Sequence, residues 1–385
     1  MTGQKYPSEK KIRTDQKTGH EFIQLTSGDA NNTHLYFTEN SFCKGRREII
    51  FFSDRGSETR RMNLFSMDLD TGEMTRLSDF SGHISHGIKS PGGEKLFCFH
   101  DNQIVMIRRE DLSPQVLYEC PAGWKLSSMS LSCSGERIGF ILNERVDVPK
   151  GANYKGFTEG MYAVKRSKIM ALNIESRDLV EIFQDTHQLG HFQFSPQDET
   201  IAIYCHEGPW NLVHQRIWLL DLVARTVHPC FRQEADDSVG HEFWTRDNMV
   251  FFDNRRAGCD GTITSGKTQV YKPPEDIKQT PYIGFADKRG NLIRRADLPF
   301  YCNHYHANND NSLLVGDDVE DLVLINIAKG PARLKTLCFH GTSWNGQSAH
   351  CHPCFDWEGR FILWLSDFGG KRNLYLIDSA QVIWT

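Results

Sequence analysis

Trp364-Leu365-Ser366-Asp367-Phe368-Gly369-Gly370 runs into Asn373-Leu374-Tyr375-Leu376-Ile377-Asp378, and near the other end of the chain Phe51-Phe52-Ser53-Asp54-Arg55-Gly56 runs towards Asn63-Leu64. Each reads as an apolar strand, a polar turn and a second strand. Five similar apolar runs lie between them: Leu96-Phe97-Cys98-Phe99, Ile138-Gly139-Phe140-Ile141, Ile201-Ala202-Ile203-Tyr204, Met249-Val250-Phe251-Phe252 and Leu313-Leu314-Val315. Counted from Ile49 to Phe361, the seven starts are 47, 42, 63, 48, 64 and 48 residues apart. A propeller blade of four strands needs about 40 to 50 residues. The two longer gaps leave room for insertions, and no helical period is long enough to support an α/β alternative. The spacing predicts an all-β, seven-bladed β-propeller over residues 21–385, built as a single domain.

The chain stops soon after Ile377, too early for a fourth strand in the last blade. Glu21-Phe22-Ile23-Gln24-Leu25 supplies that strand from the N-terminus in this reading, which closes the ring and removes an exposed edge. Residues 1–20, rich in Lys and Thr, read as a loose polar arm.

Composition narrows the function classes. The formal charge of −5 disfavours a nucleic-acid or anionic-membrane partner. No apolar run is long enough for a transmembrane helix, and the N-terminus has no apolar signal core. Eleven cysteines form no regular framework. They read as free thiols in a reducing compartment, which predicts a cytoplasmic protein. Oligomeric state is not legible.

The placement of the histidines is the functional signal. The four positions lying eight to eleven residues before each of the seven anchors are 28 of 385, so sixteen evenly spread histidines would put about one there. Six are present: His86, His191, His241, His304, His350 and His352. The segment before each anchor should be the innermost strand of a blade, and innermost strands surround a propeller's channel. In Gln347-Ser348-Ala349-His350-Cys351-His352, residues two apart on a strand share a face, so His350 and His352 should present two imidazoles to one point. Gln347 can add an amide oxygen. From Cys302-Asn303-His304-Tyr305-His306, His304 before His306 completes three imidazoles and one oxygen, a set suited to a divalent transition metal with open positions. A polar pair facing solvent is the bland alternative for one isolated His-x-His.

At these residues the sequence resembles the oligogalacturonide lyases, seven-bladed propellers that degrade pectin fragments. The resemblance runs through Leu189-Gly190-His191, His206-Glu207-Gly208-Pro209 with Arg216, His241-Glu242-Phe243-Trp244, Cys302-Asn303-His304, Leu314-Val315-Gly316-Asp317, Thr342-Ser343-Trp344 and Gln347 to Phe355. It implies a manganese ion on His304, Gln347, His350 and His352. It also implies His241 as catalytic base and Arg216 as the residue that binds a substrate carboxylate. The chain departs from the family pattern at Cys351, where a proline is expected, in a shorter stretch after Asp317, and in the first two blades.

The chemistry fits these residue types. β-Elimination from a 4-linked uronate removes the C5 proton, a poor acid because the adjoining carboxylate is already an anion. Cations on that carboxylate offset the charge that develops. A neutral histidine is a suitable base near pH 7. His241 fills that role unless it packs against Trp244, in which case His191 takes it. The donor to the leaving oxygen stays open between a metal-bound water, His191 and His206. His191, His206, His306 and Lys125 join Arg216 as candidate substrate-binding residues, although Lys125 also reads as a solvated side chain. Glu207 and Glu242 read as structural, with Glu242 facing away from His241. The predicted partner is a small acidic oligosaccharide. The competing classes are a non-catalytic binding scaffold, a metal-dependent hydrolase or lactonase, and a lyase for another uronate polymer.

Overall fold

The computed structural model describes residues 1–149, 154–256, 258–262 and 280–384, the side chain of Gln347 excepted. Seven antiparallel sheets follow one another along the chain. Sheet 1 holds Asn32–His34, Glu48–Ser53, Asn63–Asp68 and Met74–Arg76; sheet 2 holds Ile84–Lys89, Lys95–His100, Gln103–Arg108 and Pro114–Glu119. Sheet 3 runs from Trp124–Leu131 to Leu179–Asp185, sheet 4 from Leu189–Phe194 to Thr226–Pro229, and sheet 5 from Val239–Trp244 to Leu292–Asp297. Sheet 6 runs from Tyr305–Ala307 to Arg333–Phe339. Sheet 7 holds Cys354–Phe355, Phe361–Ser366 and Asn373–Asp378, followed by Glu21–Gln24 from the N-terminus. These are the blades of a seven-bladed β-propeller, with strand closure of the last blade by the N-terminal segment as the sequence predicts. No helix among the described residues is long and apolar enough to cross a membrane.

The contacts divide the described chain into two compact units, residues 1–118 with 302–384 and residues 119–262 with 280–301. In the first, Leu35, Ile50, Phe52, Leu64, Leu96 and Cys98 pack as one buried cluster. In the second, Ile141, Ile169, Leu189, Phe192, Phe194 and Tyr204 do so. Burial of each such side chain contributes about 1.5–3 kcal/mol. Close sheet packing uses glycine where it must: a Cβ on Gly139 would lie 2.1 Å from the ring of Phe192. The longer gap before Ile201 accommodates the short helix Phe157–Ala163.

The N-terminal residues are not the loose arm expected from composition. Lys5–Tyr6 pairs with Met74–Arg76, and Lys11–Thr14 pairs with Glu21–Gln24, adding a fifth strand to sheets 1 and 7. Glu9 ties the segment down. Its carboxylate accepts from the backbone of Ser27 and Gly28 at 2.9 and 3.0 Å and from Arg55 at 2.8 Å. Edge strands need few apolar residues, so their polar composition concealed them. The closure itself is latched by the buried Thr26, whose hydroxyl donates to Asn373 at 3.0 Å and accepts from Asn32 and from the Leu374 amide.

Candidate active site

Two side-chain groups gather most of the residues singled out in the sequence, one in each unit. The first unit brings together His304, His350 and His352. Their ring centroids are 4.2 to 5.5 Å apart, and one nitrogen from each lies within 4.8 Å of the others. His304 immediately precedes Tyr305–Ala307 and is fixed from behind by the buried Asp317. The carboxylate accepts from the backbone amide of His304 and, at 2.8 Å, faces its Nδ1. A proton held on Nδ1 leaves Nε2 as the lone pair. The loop carrying His350 is pinned by Thr342, whose hydroxyl donates to the Ala349 carbonyl at 2.8 Å, and by the Trp344 indole, which donates to the Val319 carbonyl at 2.8 Å. Phe37 stacks on His352 and Tyr36 meets it edge-on.

Three converging imidazoles, one held in a fixed tautomer by a buried carboxylate, are a donor set that fits a divalent transition metal. The side chain of Gln347, the expected fourth ligand, lies outside the described residues; its backbone opens the short turn Gln347–Ala349. The strand argument for His350 and His352 is corrected. Neither lies in a strand, and the next strand begins at Cys354. The Leu365 amide donates to Cys351 O and Cys354 pairs with Leu363, so His352 and Pro353 together stand opposite Trp364. His352 adopts φ 46°, in the left-handed region. A bulge, not strand alternation, aims its ring.

In the second unit, the buried His241 has φ 47° and stands with Glu242 opposite Phe252, again in a bulge. Its Nδ1 lies 3.2 Å from Asp253 Oδ1, and Arg255 approaches the other oxygen at 3.4 Å. Its aromatic neighbour is Trp210, edge-on at 4.8 Å, whereas the indole of Trp244, the neighbour in the alternative structural reading, donates to the Gln193 carbonyl. A Cβ on Gly240 would lie 1.9 Å from Trp210, so glycine is what lets that ring close against the bulge. Burial lowers the His241 pKa, against the pull of Asp253. The imidazole is therefore neutral near pH 7, with Nδ1–H turned to Asp253 and Nε2 able to accept a proton.

Beside it, His191, at φ 50°, places Nδ1 2.9 Å from Glu242 and Nε2 3.6 Å from Glu207. Burial opposes a charge on His191, but Glu242 and then Glu207 raise its pKa above the usual value. Arg216 is buried, with Nε 3.1 Å from Glu242 and both terminal nitrogens 3.4 Å from a single Glu207 oxygen. Glu242, fully buried, is held ionised against its desolvation by Arg216 and His191. Glu242 thus pairs with His191 and Arg216, where the sequence reading makes it a structural residue turned away from His241 by strand alternation.

Other expected binding residues are engaged elsewhere. His206 lies 3.0 Å from Asp185 and stacks on His187 at 4.1 Å. Burial opposes ionisation of Asp185, but bonds from His206 and His187 hold its pKa down to about 2. His306 accepts from the Phe355 amide at its Nδ1. Lys125 is exposed on the first strand of sheet 3. The sequence reading does not single out Asp253 and quotes Asp317 without a role, although these are the two carboxylates behind the key imidazoles. Both follow an apolar run in the second strand of their sheets, and that recurrence is the signal that would have found them.

The profile of the oligogalacturonate lyase family matches residues 1–383. The chain belongs to the oligogalacturonate lyase family. Curated relatives include an oligogalacturonide lyase of Pectobacterium atrosepticum, 24% identical with 99% of each chain covered, and an oligogalacturonate lyase of Dickeya dadantii, 23% identical with 96% of each covered. Among solved structures, an oligogalacturonate lyase in complex with manganese matches at 25% identity and a TM-score of 0.85, covering 98% of each chain. The oligogalacturonate lyase of Vibrio parahaemolyticus matches at 24% identity and a TM-score of 0.83, also over 98% of each.

Proposed function

We propose that this chain is a metal-dependent lyase that cleaves short oligogalacturonides by β-elimination, with Mn2+ as its ion and His241 as its base. The observation that carries the reading is the pairing of His241 with Asp253 in a family member that also holds the His304, His350 and His352 group. The manganese complex of a family relative and the imidazole-rich donor set support the choice of ion. A divalent cation bound there, with Gln347 as its further ligand, supplies Lewis-acid stabilisation of charge on the uronate carboxylate.

The chain's own residues do the rest. Nε2 of His241 takes the C5 proton, while Asp253 holds Nδ1–H and stabilises the imidazolium that forms. The C5–H electron pair becomes the C4=C5 double bond, and the C4–O4 bond breaks with its electrons on oxygen. His191, whose pKa Glu242 and Glu207 raise against its burial, returns a proton to that oxygen from Nε2. Arg216 contacts Glu207 only at 3.4 Å, long for a charge-assisted pair, and those terminal donors are assigned to a uronate carboxylate. His206, which bonds to Asp185, and His306, which accepts from the Phe355 amide, carry no assigned step, and neither does Lys125. The eleven free thiols fit a cytoplasmic setting.

Elimination leaves a double bond conjugated to a carboxylate, which absorbs in the ultraviolet. Mn2+-loaded protein should generate that absorbance from digalacturonate, and His241→Ala should abolish it. New reducing ends without the absorbance would mean hydrolysis and would sink the proposal.

A further inference from the structure

Among the described residues, a further set of ligand-type side chains converges outside both of the groups above. Asp185 ends Leu179–Asp185, the last strand of sheet 3. His187 lies in the turn to sheet 4, and His206 ends Ile201–His206, the second strand of that sheet. One donor atom of each lies within 4.8 Å of the others. His187 Nδ1 is 2.9 Å from Asp185 Oδ1, and His206 Nε2 is 3.0 Å from Oδ2. The two imidazoles stack at 4.1 Å with 11° between their planes, so both nitrogens face one carboxylate.

Asp185 also caps the turn. Its Oδ1 accepts from the backbone amides of Thr186 and His187 at 2.6 and 3.0 Å. Ser167 donates to the His187 carbonyl at 2.6 Å. These bonds fix the carboxylate and the His187 backbone in advance, which lowers the ordering cost of binding. A cap, however, needs neither imidazole. The separations of 2.9 and 3.0 Å match the edge between neighbouring donors that sit about 2.1 Å from one ion at right angles. Tyr204 is a second, independent observation. It lies two residues before His206 and shares its face of the strand, with ring centroids 6.1 Å apart. Its side chain is fully buried, and its hydroxyl has no hydrogen-bond partner among the described residues. Burial, and after it the charge of Asp185, raises its pKa, so the phenol lies within the field of that carboxylate. A buried polar group of this kind calls for a water or an ion nearby.

We propose that Asp185, His187 and His206 form a second metal site, which takes Zn2+ in preference to Mn2+. Two imidazole nitrogens and a carboxylate suit Zn2+ with a position left for water, and affinity for such donors rises from Mn2+ to Zn2+. The Asp185 and His206 side chains are each 12% exposed and His187 is 58% exposed, so the ion is reached from solvent past His187. Bound there, it clips the last strand of sheet 3 to the second strand of sheet 4. The site is separate from the His304 group and stands whether or not the lyase reading does.

Equilibrium dialysis against micromolar Zn2+, with the metal counted by elemental analysis, compares wild type with His187→Ala. The three imidazoles of the His304 group also accept zinc, so the difference between the proteins is read and not the total. Wild type should hold one more zinc per chain than the variant. His187 is exposed, so the metal-free variant is expected to keep the wild-type Tm. Anomalous diffraction at the zinc edge, from wild-type crystals in the same Zn2+, locates the extra ion. It should lie about 2.1 Å from one donor atom of each of the three residues. Equal zinc counts in the two proteins would overturn the proposal. So would the lack of an anomalous peak among the three residues, even where the counts differ. Filling only at millimolar zinc would mark an adventitious ion only and would overturn it too.

Discussion

Asp317 backs His304: its Oδ2 lies 2.8 Å from the imidazole Nδ1, and both residues are buried. A carboxylate in that position fixes the tautomer and raises the basicity of the ring as a ligand. Asp317→Asn should therefore weaken Mn2+ binding about 10- to 100-fold while leaving the fold intact. Metal titration followed by calorimetry checks this. Unchanged affinity would remove His304 from the ligand set.

His241 and Asp253 make the parallel pair on the chemical side, at 3.2 Å. Asp253→Asn keeps the shape but presents an amide to Nδ1, and either orientation of that amide weakens the hold on the imidazolium. We expect kcat to fall about 10²- to 10⁴-fold, with KM changed far less. Steady-state kinetics settles the split. A change confined to KM would make the pair a binding element.

The pH profile follows from two histidines shifted in opposite directions. Burial lowers the His241 pKa, so the base stays neutral below the ordinary histidine value of about 6.5. Activity should fall on the acid side only below that value. Glu242 and Glu207 raise the His191 pKa against burial, so its proton is lost only above it. The result is a bell in kcat/KM wider than one set by unperturbed histidines. Glu242→Gln, if it folds, should draw the alkaline limb towards neutrality. In stability terms the His191 charge pairs contribute fully below about pH 6.5 and are lost as pH rises through the raised value. An alkaline limb that ignores residue 242 would remove His191 as the donor.

Thr26 gives the fold its own test. Its buried hydroxyl serves Asn373, Asn32 and the Leu374 amide, where the N-terminal segment closes sheet 7. Thr26→Val keeps the volume and takes a partner from Asn373 Oδ1 and the Leu374 amide, while Asn32 keeps the carbonyls of Ala30 and Arg372. We expect a loss of about 1–3 kcal/mol, read from the denaturation midpoint in urea. An unchanged midpoint would show that the closure does not depend on this latch.

What was legible in the sequence was periodic. Repeated apolar runs gave the blades, and the short last blade gave the closure by Glu21–Gln24. Histidines at a fixed offset from those runs pointed to His191, His241, His304, His350 and His352. The mechanism of their placement was not legible. His352 is aimed by a left-handed residue in a bulge, and a period-two pattern carries no trace of that. Partners across strands were hidden for a similar reason. Asp317 lies thirteen residues from His304 and Asp253 twelve from His241, spacings that gain meaning only from strand register. Arg216 looked like a simple carboxylate clamp because nothing local announces Glu242 and Glu207 as its neighbours. The polar strands at Lys5–Tyr6 and Lys11–Thr14 escaped because edges need no apolar stripe.

The most direct measurement is mass spectrometry of the products from digalacturonate, with the protein loaded with Mn2+ and again after chelation. One saturated and one unsaturated uronate, whose masses sum to that of the substrate, should be formed by the loaded protein and be absent after chelation. Products that together carry an added water, or equal turnover after chelation, would contradict it.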